Sequence, residues 1–255
     1  GVSMSYWQAI IMGLVQGVTE FLPISSSGHL AILQNFLGLG SMEDHLLFDV
    51  LLHLGTLGAV FVVYRKKIFE IIKAPRKNKL WLYVLASVPT AALGLVFKKL
   101  LPELLIGKYL PLGFMITAVA LAAGELVRND KITGLTAKNA FLTGVAQGLA
   151  VFPGISRSGS TITAARLFGM EKTEAADFSF LLSVPVILGS GLLEFYEALS
   201  SDAAIQIAPV AAGTVAAFLS GLAALTFMIN TVKKHNFWPF AAYTAVLSVV
   251  SFVVL

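Results

Sequence analysis

The chain has 255 residues, of which 57% are hydrophobic and only 13% are charged. A typical soluble domain carries about 25% charged residues, so this composition excludes an ordinary soluble protein and predicts one integral membrane unit. The net charge is +4, and the basic residues lie between apolar runs. This distribution suits a membrane boundary and predicts no nucleic-acid partner. The chain has no cysteine, which excludes disulfides.

Six apolar stretches are long enough to cross a bilayer, which takes about 20 helical residues. They are residues 46–64, 80–97, 111–127, 176–196, 207–231 and 237–255. Two further apolar stretches, 6–39 and 138–170, are interrupted near the middle by proline, glycine and serine. Each half of these is too short to span, so we predict two re-entrant helix–turn–helix hairpins. Irregular backbone is stable at membrane depth only where protein or a watery cavity surrounds it.

The two interrupted stretches are copies of each other at an offset of 131 residues. The matched pairs include Gln16 with Gln147, Gly17 with Gly148, Phe21 with Phe152, Ser25 with Ser156, Ser27 with Ser158 and Gly28 with Gly159. We therefore predict one membrane domain over 4–255, built from repeats 4–130 and 131–255, with residues 1–3 as an expression remnant. The predicted fold class is an all-α integral membrane protein with an inverted-topology repeat, about six transmembrane helices and two re-entrant hairpins.

The distribution of positive charge predicts the orientation of the chain. Segment 65–79 carries seven Lys or Arg and one Glu, which predicts a cytoplasmic loop. An odd number of crossings then separates the matching helices 46–64 and 176–196, so the two halves must be inverted. One hairpin enters from outside and the other from inside, and we predict that their tips meet near the midplane. Transporters with inverted repeats hold their ligands at such a place.

The two tips are rich in groups that bind phosphate. The first, FLPISSSGHL over 21–30, is repeated by PGISRSGST over 153–161, where Arg157 takes the place of Ser26. The start of each half-helix offers unpaired N–H groups and a positive dipole end, and serine hydroxyls and a guanidinium add directed donors. The predicted phosphate-binding residues are Ser25, Ser27, Gly28, Ser156, Ser158, Gly159 and Thr161.

The predicted catalytic residues are Glu20, Ser26, His29 and Arg157. Ser26 and His29 are alternative nucleophiles toward phosphorus, Glu20 orients or deprotonates the nucleophile, and His29 is also a candidate proton shuttle. Arg157 neutralises charge on the transferring phosphoryl group. A structural ion pair is the alternative for Glu20 and Arg157, but buried charges in membranes cost several kcal/mol and usually mark function.

Two pairs of polar residues, each separated by one helical turn, are further candidates for a role at the site. Gln16 and Glu20 are one turn apart on one helical face, where they are candidate ligands for a divalent cation, Mg²⁺ or Ca²⁺, that bridges phosphates. Asp49 and His53, also one turn apart, are candidates for a second layer around the site. A purely structural role for this second pair is equally open.

The stretches LVQGVTEFLPISSSGHL (14–30) and PGISRSGST (153–161) resemble the signature motifs of bacterial undecaprenyl-pyrophosphate phosphatases of the BacA type, also called UppP. The resemblance extends over nearly the whole chain. It matches the family's serine and histidine to Ser26 and His29, and its arginine to Arg157. The family's acidic motif is represented by Gln16 and Glu20, which leaves a single carboxylate.

This resemblance implies an enzyme of the bacterial plasma membrane whose site faces the periplasm or exterior. It would hydrolyse undecaprenyl pyrophosphate to undecaprenyl phosphate and inorganic phosphate, which recycles the lipid carrier of cell-wall glycans and confers bacitracin tolerance. The resemblance also implies a requirement for a divalent cation. The expected partners are a prenyl pyrophosphate lipid, the bilayer and a second copy in a homodimer.

Two alternative functions predict different features of the chain. A flippase for lipid phosphates would share the inverted repeat without hydrolysing anything, and one protein could combine both activities. A membrane phosphatase of the PAP2 type would need a second histidine after its Ser-Arg motif. The only histidine after Arg157 is His235, far away in the sequence, so we reject this alternative.

Overall fold

The computed structural model describes residues 4–39, 46–105, 107–126, 132–199 and 207–254. Within these ranges the chain forms eleven α-helices, one short 3₁₀ turn at Pro102–Leu105, and no strand. The helices are α1 (Tyr6–Phe21), α2 (Ser26–Phe36), α3 (Leu46–Val63), α4 (Arg65–Lys73), α5 (Leu80–Leu100), α6 (Leu110–Leu126), α7 (Ala137–Leu149), α8 (Arg157–Leu167), α9 (Lys172–Leu199), α10 (Ile207–Lys234) and α11 (Trp238–Val254). The predicted all-α membrane fold is confirmed.

Local capping signals decide where the helices of the two hairpins begin and end. α1 starts with a capping box, in which the Ser5 hydroxyl accepts from the Gln8 N–H and the Gln8 side chain returns to Ser5. It stops just before Pro23, since proline cannot continue a helix. α7 starts with an equivalent box between Thr136 and Asn139.

The second helix of each hairpin is short and capped by a serine. Ser25 accepts from the Gly28 N–H at 3.3 Å, and Ser156 accepts from the Gly159 N–H at 3.0 Å. α2 and α8 have 11 residues each. That length is about 16 Å, roughly half the hydrocarbon core of a bilayer. The interruptions lie where the sequence predicts them, while the re-entrant course through a membrane stays a prediction.

Six apolar helices lie at the positions of the six predicted spans. α5, α10 and α9 as far as Leu193 are long and apolar enough to cross a membrane. α3 meets the same criterion together with α4, from which it is bent by 78°. α6 and α11 are apolar but have only 17 residues each, near the lower limit for a span.

Segment 65–79 is not the loop predicted from its charge. Arg65–Lys73 forms helix α4, and only residues 74–79 form turns. Ile68 and Ile71, three residues apart on one helical face, pack against the main core. The basic residues occupy the other faces. The high charge of the segment therefore led to a loop prediction where the chain forms an amphipathic helix.

Helix packing follows the repeat. α1 of the first repeat packs along α10 of the second, and their counterparts, α7 of the second repeat and α5 of the first, pack along each other. Glycines allow both contacts, because a Cβ at Gly13 would overlap the Gly213 backbone and one at Gly144 would overlap the Ala86 backbone. This is the close packing that small residues permit between membrane helices. The pairing supports a twofold relation, and its inversion across a membrane stays a prediction.

We expect Gly154→Ala to lower the thermal midpoint of unfolding far more than Gly189→Ala. Gly154 has a φ of +88°, and a Cβ there would lie 2.5 Å from the Leu110 carbonyl oxygen. Strain and overlap together should cost about 2–4 kcal/mol. Gly189 lies in α9, where a Cβ would have no neighbour within 4 Å. Thermal unfolding in detergent checks the difference, and equal midpoints would contradict the tight contact between the second tip and α6.

Candidate active site

The tips of the two hairpins touch, as the repeat predicted. The Ser158 hydroxyl in the second tip donates to the Leu22 carbonyl in the first at 3.0 Å. Gly159 lies against Pro23, where a Cβ would come within 3.2 Å of the proline side chain. The N-termini of α2 and α8 therefore belong to one site.

Glu20, near the end of α1, connects the two tips. Its side chain is only 5% exposed. Carboxylate oxygen Oε1 accepts from Nη2 of Arg157, while Oε2 accepts from Ser26 Oγ at 2.6 Å and from Gln16 Nε2 at 3.1 Å. One carboxylate thus holds a hydroxyl, an amide and a guanidinium from both halves of the chain.

Charge compensation explains why this buried carboxylate is stable. Removing a charge from water costs several kcal/mol unless a partner and hydrogen bonds replace the water. Arg157 supplies the opposite charge, with its side chain 18% exposed. Its second terminal nitrogen, Nη1, is buried without a hydrogen-bond partner. An unsatisfied charged donor is costly, so Nη1 is a ready contact for an anionic oxygen of a ligand.

The contact between Ser26 and Glu20 has the geometry of a nucleophile and its base. A general base has to lie within about 3.2 Å of the proton it accepts. Here the hydroxyl already donates to the carboxylate. Ser26 lies at the first residue of α2 and is only partly buried, so a ligand can reach it.

His29 lies one turn further along α2. Its Nδ1 is 2.7 Å from the Ser25 carbonyl oxygen, and its Nε2 is 2.8 Å from the Tyr243 hydroxyl on α11. The His29 and Tyr243 rings also stack, with centroids 5.7 Å apart. Among the contacts of the described residues, His29 is joined to Ser25 and Tyr243 and not to Glu20 or Ser26.

Of the two residues predicted as a second layer, His53 contacts Glu20 and Asp49 contacts Gln34. His53 Nε2 lies 3.8 Å from Glu20 Oε2, and its Nδ1 contacts the Asp49 carbonyl oxygen at 2.8 Å. The Asp49 carboxylate accepts from Gln34 Nε2 at 3.2 Å. His53 therefore borders the site directly, while Asp49 lies behind it. What either residue does there stays a prediction.

The predicted phosphate-binding serines build the tips themselves. Ser25 and Ser156 cap α2 and α8, and their hydroxyls lie 3.3 Å from those of Ser27 and Ser158 respectively. The Thr161 hydroxyl is fully buried and bonds to Ser179 on α9 at 2.5 Å. These contacts organise the turns, and direct binding of phosphate by these residues stays a prediction.

Sequence reasoning missed two residues that hold the site in place. Thr117 on α6 donates to the Gly154 carbonyl and accepts from the Ser156 N–H, each at 2.9 Å, which ties the second tip to α6. Tyr243 is the partner of His29. Both lie in largely apolar helices that carry other polar residues as well, so the sequence does not single either of them out.

A divalent cation fits this site in part. Gln16 Oε1 is buried without a partner, beside the Glu20 carboxylate to which the same amide donates. Within the described ranges, no three His, Cys, Asp or Glu residues come together as metal ligands. Mg²⁺ is commonly bound by one or two carboxylates while substrate phosphates and water complete its shell. The two oxygen donors fit a cation shared with a diphosphate, and not a cage supplied by protein alone.

The fold and the site define a multi-pass helical membrane protein with a buried acid–hydroxyl–guanidinium site between two broken hairpins. The chain belongs to the BacA family, because the family described as "Bacitracin resistance protein BacA" matches residues 9–250. This result confirms the resemblance seen in the two motifs.

Curated relatives match the chain over nearly its full length. A protein of Carboxydothermus hydrogenoformans, named undecaprenyl-diphosphatase, is 43% identical over 252 residues, covering 96% of each chain. A protein of Christiangramia forsetii with the same name is 40% identical and covers 98% of each chain. One from Methanosphaera stadtmanae, also so named, is 33% identical and covers 96% of each chain.

Proposed function

We propose that this protein hydrolyses undecaprenyl diphosphate to undecaprenyl phosphate and inorganic phosphate. The names of its curated relatives support the substrate. The observation that carries the reaction type is the contact of Ser26 with Glu20 at 2.6 Å, with Arg157 on the other carboxylate oxygen. A nucleophile, its proton acceptor and a cation for phosphoryl charge are the components that phosphoryl transfer needs.

The first step transfers the terminal phosphoryl group to serine. Ser26 Oγ attacks the terminal phosphorus and gives its proton to Glu20 Oε2. The bond from phosphorus to the bridging oxygen breaks, and Glu20 passes the proton to the departing undecaprenyl phosphate. Arg157, through its unpartnered Nη1, stabilises the charge on the transferring oxygens.

The second step returns the enzyme to its starting state. A water molecule attacks the phosphoserine and gives a proton to Glu20. The bond between phosphorus and Ser26 Oγ breaks, inorganic phosphate leaves, and Glu20 returns the proton to Ser26. The carboxylate therefore acts as base and then as acid in both steps.

The hydrogen bonds of His29 favour Ser26 as the nucleophile. A carbonyl oxygen only accepts, so Nδ1 of neutral His29 donates to Ser25 and Nε2 accepts from the Tyr243 hydroxyl. The lone pair that would attack phosphorus is engaged in that bond. We therefore assign His29 to positioning the first tip against α11.

The test of this function uses purified protein in liposomes that contain undecaprenyl diphosphate. We expect inorganic phosphate to be released and undecaprenyl phosphate to accumulate, as measured by mass spectrometry. A lipid flippase without hydrolysis would release no phosphate and leave the diphosphate intact. That result would overturn the proposal in favour of transport.

We propose that the protein lies in the bacterial plasma membrane with residues 65–79 in the cytoplasm. The charge of this segment and the 78° bend between α3 and α4 support a position at the membrane surface. The family resemblance supports the further proposal that the site opens to the periplasm or exterior. Because the chain has no cysteine, labelling of a single cysteine introduced at Lys77 tests this orientation. The homodimer stays a prediction.

We expect a chelator to abolish phosphate release, and Mg²⁺ or Ca²⁺ to restore it. Gln16 and Glu20 are the proposed ligands, and a bound cation would neutralise diphosphate charge. Gln16→Ala should raise the cation concentration needed for half-maximal activity, since it removes one oxygen donor. Gln147→Ala, the matching change in the second repeat, is the control and should not alter that concentration. Full activity in excess chelator would remove the cation from the proposal.

A further inference from the structure

Helix α4 turns away from the direction of α3 at the end of an apolar stretch. Phe61 and Val62, in the last turn of α3, are 41% and 43% exposed, as apolar side chains that face lipid would be. α4 begins at Arg65 and is bent by 78° from α3. A helix nearly perpendicular to one that crosses a membrane runs roughly parallel to the membrane plane. α4 therefore lies along the boundary between lipid and water.

Contacts with the rest of the protein fix which side of α4 faces outward. The Tyr64 hydroxyl donates to Asp177 Oδ1 on α9 at 2.7 Å, and Lys67 Nζ donates to Oδ2 of the same carboxylate at 2.8 Å. Ile71 on α4 is buried and belongs to the main core. With three side chains held on one side, the helix has little freedom to rotate about its axis.

The outward side of α4 combines apolar and basic residues. Phe69 and Ile72, three residues apart, are neighbours on the helix surface and are 64% and 67% exposed. Lys66 precedes Phe69 by three residues and Lys73 follows it by four, and both lysines are exposed. Bulky apolar side chains beside lysines are typical of helices that lie in a membrane interface, with the apolar side among acyl chains.

Four of the seven basic residues in segment 65–79 have no partner within the described part of the chain. They are Lys66, Lys73, Arg76 and Lys77, and all four are exposed. The other three, Arg65, Lys67 and Lys79, donate to groups of the protein. The single acid of the segment, Glu70, forms no ion pair with a described residue. The surface thus carries uncompensated positive charge at the level of lipid head groups.

We propose that α4 and the turn after it bind anionic phospholipids, with phosphate groups at Lys66 and Lys73 and acyl chains around Phe69 and Ile72. Charge complementarity argues for this occupant, since a zwitterionic lipid would leave the four basic residues uncompensated. Continuity also supports it, because the apolar side of α4 follows the exposed apolar end of α3. The binding does not depend on hydrolysis of any substrate.

The test titrates the detergent-solubilised protein with phosphatidylglycerol or phosphatidylcholine of equal acyl chains and counts bound lipids by native mass spectrometry. A lysine near an anionic surface is worth about a fivefold factor in affinity. We therefore expect Lys66→Gln combined with Lys73→Gln to lower the affinity for phosphatidylglycerol by about twentyfold to thirtyfold. The affinity for phosphatidylcholine should not change.

A second double variant is the matched control. Lys233→Gln combined with Lys234→Gln removes the same charge from an exposed pair at the end of α10. We expect it to keep the affinity for phosphatidylglycerol within about twofold of the unmutated protein. Equal losses in the two double variants would mean that net charge, and not the surface of α4, attracts the lipid, and would overturn the proposal.

The depth of α4 can be measured in vesicles that contain both lipids and no other protein. Because the chain has no cysteine, a spin label can be placed at Phe69→Cys or, as the control, at the neighbouring Glu70→Cys. The label at residue 69 should be relaxed by oxygen, which concentrates in lipid, and that at residue 70 by a water-soluble nickel complex. Contact of the label at residue 69 with the nickel complex would overturn the proposal and leave the apolar side of α4 to a protein partner.

Discussion

Arg157→Lys is expected to reduce phosphate release by about a hundredfold to a thousandfold, the usual cost of losing an aligned donor to developing negative charge. Lysine keeps the charge but has no planar fork, so it cannot hold Glu20 and a phosphoryl oxygen with two separate nitrogens. Alanine would be a poorer test, since an unpaired buried Glu20 would cost about 3–5 kcal/mol of stability. Steady-state assays on undecaprenyl diphosphate measure the effect.

Arg166→Lys provides the matched control. Arg166 lies on the same helix α8 and also pairs with a partly buried acid, with Nη1 2.7 Å from Glu125 Oε1. That pair lies at the opposite end of α8 from the tips. We expect its lysine variant to keep activity within about threefold of the unmutated protein. Equal losses in the two variants would mean that Arg157 has a structural role only.

Ser26→Ala is expected to reduce activity by about a thousandfold or more, since it removes the nucleophile. The neighbouring change Ser27→Ala removes a hydroxyl that contacts Ser25 and not Glu20, so we expect a loss of less than about tenfold. Each variant removes a single hydroxyl from the first tip, so the two changes are matched in size. The measurement is single-turnover hydrolysis of undecaprenyl diphosphate.

The identity of the attacking group can be read directly from the intermediate. Rapid acid quenching of the unmutated protein should trap phosphate on the peptide that contains Ser26, as detected by mass spectrometry. His29→Ala should loosen the contact with Tyr243 and lower activity moderately while leaving phosphoserine detectable. Substantial activity in Ser26→Ala together with none in His29→Ala would reverse the assignment and make histidine the nucleophile.

The two repeats have matching helices, but their residues at the site differ. At the offset of 131 residues, Glu20 corresponds to Val151 and His53 corresponds to Val184. The second repeat contributes Arg157 where the first has Ser26. The carboxylate and the nucleophile therefore come from one half and the guanidinium from the other. This division explains why neither repeat alone holds a complete site.

The sequence was sufficient to predict the long apolar helices and the breaks within the two hairpins. Pro23 and the serine caps of α2 and α8 act within a few residues, so their effect can be read locally. α4 was missed because seven basic residues in 65–79 indicated a membrane boundary more strongly than the spacing of Ile68 and Ile71 indicated a helix. Charge content and helical periodicity are separate signals, and both are present there.

Composition, apolar run lengths and the internal repeat by themselves determined that the chain is a helical membrane protein with two polar tips. These properties depend on single residues and short spacings, which a linear sequence displays in full. Only the tertiary structure decided which polar groups meet: Arg157 with Glu20, His29 with Tyr243, and Thr117 with the second tip. Those contacts join residues more than 35 positions apart, and the packing of helices sets their distances.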